Sequence, residues 1–153
     1  MTACAYSVDV RRLEEFSAVE LYDLLKMRVD VFVVEQNCPY PELDGKDADA
    51  LHLCLRHNGE LTASCRLFAP ALPAAPTRIG RVVVSPTHRG KRLGEAVMRE
   101  AIAICDRLFP NEPIALSAQS HLVRFYCSFG FATTSQEYLE DGIPHVDMIR
   151  APR

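Results

Sequence analysis

Between a run of valines and a long amphipathic segment, the chain reads Ser85-Pro86-Thr87-His88-Arg89-Gly90-Lys91-Arg92-Leu93-Gly94. A turn that enters a helix at this point presents amides without intrahelical acceptors, at the end where the helix dipole is positive. That is the chemistry of an anion cradle, able to give a diphosphate several N–H bonds at once. Gly90 and Gly94 admit close approach of backbone and ligand, and Arg89, Lys91 and Arg92 add formal charge. A P-loop requires Gly-Lys followed by Ser or Thr, and a dinucleotide turn requires G-x-G-x-x-G; neither spacing is present. Asp44, Asp47 and Asp49 with His52 are the other cluster of potential ligands. Their order does not fit an EF-hand loop, so they read as a polar turn and no metal is expected.

The elements that must position the cradle follow from periodicity. Ile79 to Val84, or Arg78 to Val84 at its widest, is a buried strand feeding the turn. Leu93, Val97, Ala101, Ile104 and Leu108 then form one helical stripe that stops before Pro110. Upstream, Cys4 to Val10 is a candidate first strand. Ser17 and Glu20 form a capping box with Phe16 stapling onto Leu21, which predicts a helix over 18–33, its last turn weakened by the β-branched Val29, Val31, Val33 and Val34. Asn37 to Ala50 reads as a long loop. Leu51 to His57 and Glu60 to Phe68 are strands joined by Asn58-Gly59, the dipeptide suited to a two-residue hairpin. Ala69 to Thr77 carries three prolines and is a surface connection. Ile114 to Ala118 is a short strand. Leu122, Phe125, Tyr126 and Phe129 are helix-spaced and end at Gly130, and Phe131 to Thr134 and His145 to Ile149 are closing strands.

With 153 residues, 48% of them apolar and spread from end to end, the chain is sized for one domain around one core. A net charge of -3 supplies no global field toward nucleic acid or an anionic membrane, and no apolar run approaches the length that spans a bilayer. A cytoplasmic protein with no nucleic-acid or membrane partner is expected. The six cysteines form no C-x-x-C pair and read as reduced thiols. Cys54, Cys65, Cys105 and Cys127 lie in apolar patterns and are expected to be buried; Cys38, in a polar loop, is expected to be the exposed one.

The segment Arg89 to Gly94 resembles the pyrophosphate loop of the N-acetyltransferase (GNAT) superfamily, written Arg/Gln-x-x-Gly-x-Gly/Ala, with Arg92 in place of the middle glycine. Ser117-Ala118-Gln119 followed by Phe125-Tyr126-Cys127-Ser128-Phe129-Gly130-Phe131 resembles the superfamily's later strand, helix and Tyr-x-x-x-Gly-Phe ending. More narrowly, Leu21 to Leu25, Arg28, Val31 to Tyr40 and Glu140-Asp141-Gly142-Ile143-Pro144-His145 resemble the ElaA group of bacterial acetyltransferase-like proteins, so the likeness covers nearly the whole chain. The implied fold is α/β (α+β): a mixed sheet of about six to seven strands flanked by helices, with a splayed strand pair that receives acyl-CoA.

The resemblance also implies roles. Val82, Val83 and Val84 lie on the splayed strand whose backbone pairs with the pantetheine arm and whose amide stabilises a developing oxyanion. Arg89, Gly90, Lys91, Arg92, Leu93 and Gly94 hold the pyrophosphate, and Gln119 hydrogen-bonds the pantetheine. Tyr126 is the general acid toward the departing thiolate. An amine attacks acetyl-CoA directly, so no Ser or Cys nucleophile is needed, and Glu35, His121 and His145 are candidates for the base or for acceptor binding. A non-catalytic acyl-CoA-binding module and an acyl-homoserine-lactone-synthase-like acyltransferase stay open as alternatives. So do monomer and homodimer.

Overall fold

The computed structural model describes residues 5–153. Among these residues eight strands form one mixed sheet in the order β1-β2-β3-β4-β5-β8-β6, with β7 paired to β8. The strands are β1 Ser7–Arg12, β2 Leu51–His57, β3 Glu60–Phe68, β4 Thr77–Val84, β5 Ile114–Gln119, β6 Ala132–Thr133, β7 Tyr138–Glu140 and β8 Ile143–Arg150. The sheet exceeds the expected six to seven strands because β6 and β7 are too short to carry a period. The turn Asp141-Gly142, both residues at positive φ (51° and 77°), makes β7–β8 a hairpin of the same kind as the one at Asn58-Gly59. The first strand starts at Ser7, and Cys4 lies outside the described residues.

Among the described residues three α-helices flank the sheet: α1 Ala18–Val29, α2 Leu93–Leu108 and the short α3 Val123–Cys127. Strand alternation divides the core into two layers. Leu53, Leu55 and Cys65 point into the cluster built on Leu93, Val97 and Ala101 of α2. Cys54 and Val83 point the other way, into the cluster with Leu24, Met27 and Val31 of the α1 segment. The predicted capping box is present, with Ser17 Oγ accepting from the Glu20 amide at 3.1 Å and the Glu20 carboxylate accepting from the Ser17 amide at 3.0 Å.

The end of the first helix departs from expectation. The β-branched run does not stop it at residue 33; over Asp30–Glu35 the helix widens to a π turn, with the Gln36 amide donating to the Val31 carbonyl at 3.1 Å and the Cys38 amide to the Val33 carbonyl at 3.0 Å. Crowding between branched Cβ atoms is relieved by the wider turn. The loop that follows brings Cys38 inside, where its thiol donates to the Asp141 carbonyl at 3.3 Å. Among the described residues the exposed thiol is Cys127, because α3 lasts barely more than a turn and its inward face is taken by Tyr126. Cys54, Cys65 and Cys105 are buried as expected, and burial pushes the Cys54 and Cys105 thiols up to about 12.

Candidate active site

β4 and β5 are parallel neighbours, yet they pair only at Thr77 with Ile114 and Arg78 with Ala115. Beyond those positions the strands diverge. A bulge in β4 assists the separation: its pairing with β3 jumps from Gly80 opposite Arg66 to Val83 opposite Ser64, and Arg81 takes a left-handed φ of 52°. A non-glycine residue at that φ is held by its side chain, and the Arg81 guanidinium donates to Glu42 Oε1 at 2.7 Å and lies over the Tyr40 ring at 5.4 Å.

Two cavities open from the splay. The smaller, about 450 Å³, runs toward the start of α2 and is lined by Val82, Val83, Val84 and the turn residues Arg89, Gly90, Arg92, Leu93 and Gly94. The larger, about 870 Å³, runs the other way along β4, between the 40–46 loop and the β7–β8 hairpin. Phe32, Gln36, Val82, Gln119, Leu122 and Tyr126 line both, so the cavities meet across the gap between β4 and β5.

At the start of α2, Gly90 and Arg92 are both left-handed, at φ 80° and 57°, and no side chain caps the helix. Its first amides therefore have no side-chain acceptor and face the mouth of the smaller cavity, a position that suits an anion. Gly94 sits against Val84 and Phe125: a Cβ there would lie 3.8 Å from the Phe125 ring and 4.0 Å from Val84 Cγ2. Lys91 is exposed and, alone among the turn residues singled out, is not on the cavity wall. The residues present, with free amides, two lining arginines and an apolar slot behind them, fit a diphosphate joined to a slender chain.

Tyr126 is buried at the junction. Burial, with a smaller contribution from Cys65, pushes its phenol up to about 12, so it is protonated near neutrality and able to donate. Gln119 donates from Nε2 to Gln36 Oε1 at 3.3 Å. The three candidate bases separate. Glu35, at the end of the π turn, is engaged by Arg89, whose hydrogen bonds lower the carboxyl pKa. His121 is exposed on the smaller cavity. His145 pairs with Gln119 across β5 and β8 and lines the larger cavity. Its Nδ1 lies 2.7 Å from the Ile143 carbonyl, which can only accept, so Nδ1 carries a hydrogen. Nε2 lies 3.4 Å from Glu140, and the ring stacks on Tyr138.

Sequence reasoning missed the charged lattice behind the wall of the larger cavity, of which Asp44, Arg66 and Arg81 reach the cavity. Asp44 and Asp47, read as turn residues, belong to a buried lattice: Arg28 holds Glu42 and Asp47, and Arg66 holds Asp44 and Asp47. His52 Nε2 meets the Asp47 carbonyl at 2.9 Å. Opposite charges distant in sequence have no period, and only the acidic loop itself was visible. Among the described residues no group of three or more His, Cys, Asp or Glu could hold a metal ion, and no helix is long and apolar enough to cross a membrane.

The family described as acetyltransferase (GNAT) domain matches residues 23–151. Protein ElaA of Escherichia coli K12 is 44% identical over 138 residues, which cover 89% of this chain and 90% of ElaA. The crystal structure of E. coli ElaA superposes with a TM-score of 0.88 at 40% identity, covering 95% of this chain and 99% of that one. An acyl-CoA N-acyltransferase from Pseudomonas aeruginosa superposes with a TM-score of 0.90 at 42% identity, covering 96% and 100%. The fold is also that of a CoA-dependent acyl-homoserine lactone synthase, with a TM-score of 0.80 at 15% identity over 97% of this chain and 84% of that one. The free-amide turn, the splayed strands and the tyrosine between them thus occur in a chain that belongs to the GNAT acetyltransferase family.

Proposed function

We propose that this protein transfers an acetyl group from acetyl-CoA to an amine by direct attack. The observation that carries the reading is the meeting of two cavities at Tyr126 and Val82: one ends in an anion cradle, the other opens to a separate approach. The pyrophosphate would rest on the turn Arg89 to Gly94 and the pantetheine would run between β4 and β5, with Gln119 beside it. The acceptor would enter through the larger cavity.

In the reaction the amine nitrogen forms a bond to the acyl carbon and the carbon–sulfur bond breaks, the electron pair leaving with sulfur. A β4 amide near Val82 to Val84 meets the developing oxyanion, and Tyr126 gives its proton to the departing thiolate. The ammonium form of the acceptor must first lose a proton. Of the three candidate bases His145 is the one placed to take it, because it lines the acceptor side with its ring held by the Ile143 carbonyl. Calorimetry with acetyl-CoA, followed by thiol release in an amine screen, tests the reading. Micromolar binding with amine-dependent thiol release supports it; binding without turnover of any amine favours a non-catalytic acyl-CoA module, and no binding removes the basis for both.

A further inference from the structure

Resting on that reading, we infer that the acceptor is an elongated amine carrying an anionic group about 10 Å or more from its nitrogen, a short peptide with a free C-terminal carboxylate being the matching chemistry. The argument is one of uncommitted charge. In the wall of the larger cavity Arg66 and Arg81 are already neutralised, Arg66 by Asp44 and Asp47, Arg81 by Glu42 and Asp44. With Arg28, these arginines stand three against three with Glu42, Asp44 and Asp47, so the lattice as a whole carries no net charge. Lys46 and Arg78 line the same cavity, are exposed, and have no carboxylate partner among the described residues. Arg66 also keeps a buried Nε–H without an acceptor.

The opposite wall has the other sign. Asp141 lies at the tip of the β7–β8 hairpin, and Glu140 faces His145, which is itself paired in register with Gln119 at the cavity junction. The junction end is thus suited to an ammonium and a proton acceptor, and the far end to an anion. Arg78 stands opposite Phe68 of β3 and Val83 opposite Ser64, so across the β4 bulge the two ends at Val82 and Arg78 are about 10 Å apart. A single amino acid, with its carboxylate one carbon from its nitrogen, cannot reach both; about three residues of extended peptide can.

The test compares trialanine, trialanine amide and alanine as acceptors, reading kcat/KM from thiol release, with acetyl-CoA binding followed by calorimetry on the same protein. Trialanine is expected to exceed its amide at least fivefold and alanine by more, with the acid-to-amide ratio falling toward one in the Lys46→Met/Arg78→Met double variant and at high salt. An amide used as well as the acid, alanine used as well as trialanine, or no turnover of either tripeptide by protein that binds acetyl-CoA overturns the inference and leaves the acyltransferase reading standing. Absence of acetyl-CoA binding would take both away.

Discussion

Arg89 and Glu35, 54 residues apart, form a two-pronged ion pair across the mouth of the smaller cavity, with Nη2 2.6 Å from Oε1 and Nη1 2.9 Å from Oε2. The pair ties the π turn of the first helix to the turn before α2. Both side chains are nearly half exposed, so the pair contributes little to stability. On the proposed reading its consequence lies in binding, because a diphosphate held at this turn would share Arg89 with Glu35. Glu35→Gln is therefore expected to tighten acetyl-CoA binding about two- to fivefold at low salt, the range an exposed pair supports, and the gain should shrink as salt screens the charges. Calorimetric titrations at two ionic strengths measure this. Weaker binding by the variant would mean that Glu35 aims Arg89 at the ligand instead of competing for it.

No protein group hydrogen-bonds the Tyr126 phenol among the described residues, so Tyr126→Phe orphans nothing in the core. If Tyr126 is the general acid, as proposed above, its removal is expected to lower kcat about a hundredfold, with acetyl-CoA affinity within about twofold of wild type. Because burial pushes the phenol up to about 12, it stays protonated while an acceptor amine passes to its neutral form. The wild-type pH profile of kcat should accordingly rise and level off, with no descending limb from this group below about pH 11. A descending limb centred near pH 9 would point to a different acid.

The carboxylates of the buried lattice predict how stability responds to acid. Arg66 holds the Asp44 carboxyl well below its usual range. For Asp47 burial alone would raise the pKa, but hydrogen bonds from Arg28 and Arg66 outweigh it and the net shift is downward. A carboxyl depressed in the folded state stabilises fully above its unfolded pKa, near 4. Thermal stability is thus expected to hold from pH 8 to about 5 and to fall steeply below about 4. Glu42→Gln removes a charge shared by Arg28 and Arg81. Breaking a buried pair costs about 3–5 kcal/mol, so the melting temperature at pH 7 should drop by about 6 °C or more. A drop under 2 °C would show that water already enters the lattice.

What was legible in the sequence was whatever has a period or a local turn code: the strand and helix around the cradle, the Asn58-Gly59 hairpin, and the helix-spaced run ending at Gly130. The arginine lattice was not, since Arg28, Asp47 and Arg66 meet only when the first helix, the 40–50 loop and β3 are folded together. The Cys38 and Cys127 expectations failed for a related reason. A polar loop can be buried by what folds over it, and an apolar stripe on a helix as short as α3 does not fix which side faces inward. The β7–β8 hairpin left a readable trace in Asp141-Gly142, which the short flanking strands obscured.

Gly94 lies between the proposed pyrophosphate turn and the core, and two substitutions can resolve its role. A Cβ at this position meets Phe125 and Val84 at ordinary contact distance, so Gly94→Ala fits without displacement and should leave folding intact, with acetyl-CoA binding weakened at most about threefold. Gly94→Trp places an indole in the slot of about 450 Å³ between β4 and the helix start. That ring occupies the path between the free amides and Tyr126, and it should abolish acetyl-CoA binding while circular dichroism and melting temperature stay close to wild type. The graded pair matters because loss of binding in the tryptophan variant alone could reflect damage to the fold. If the alanine variant binds normally and the tryptophan variant, still folded, binds as well, the ligand does not pass beside Gly94 and the pyrophosphate must sit elsewhere.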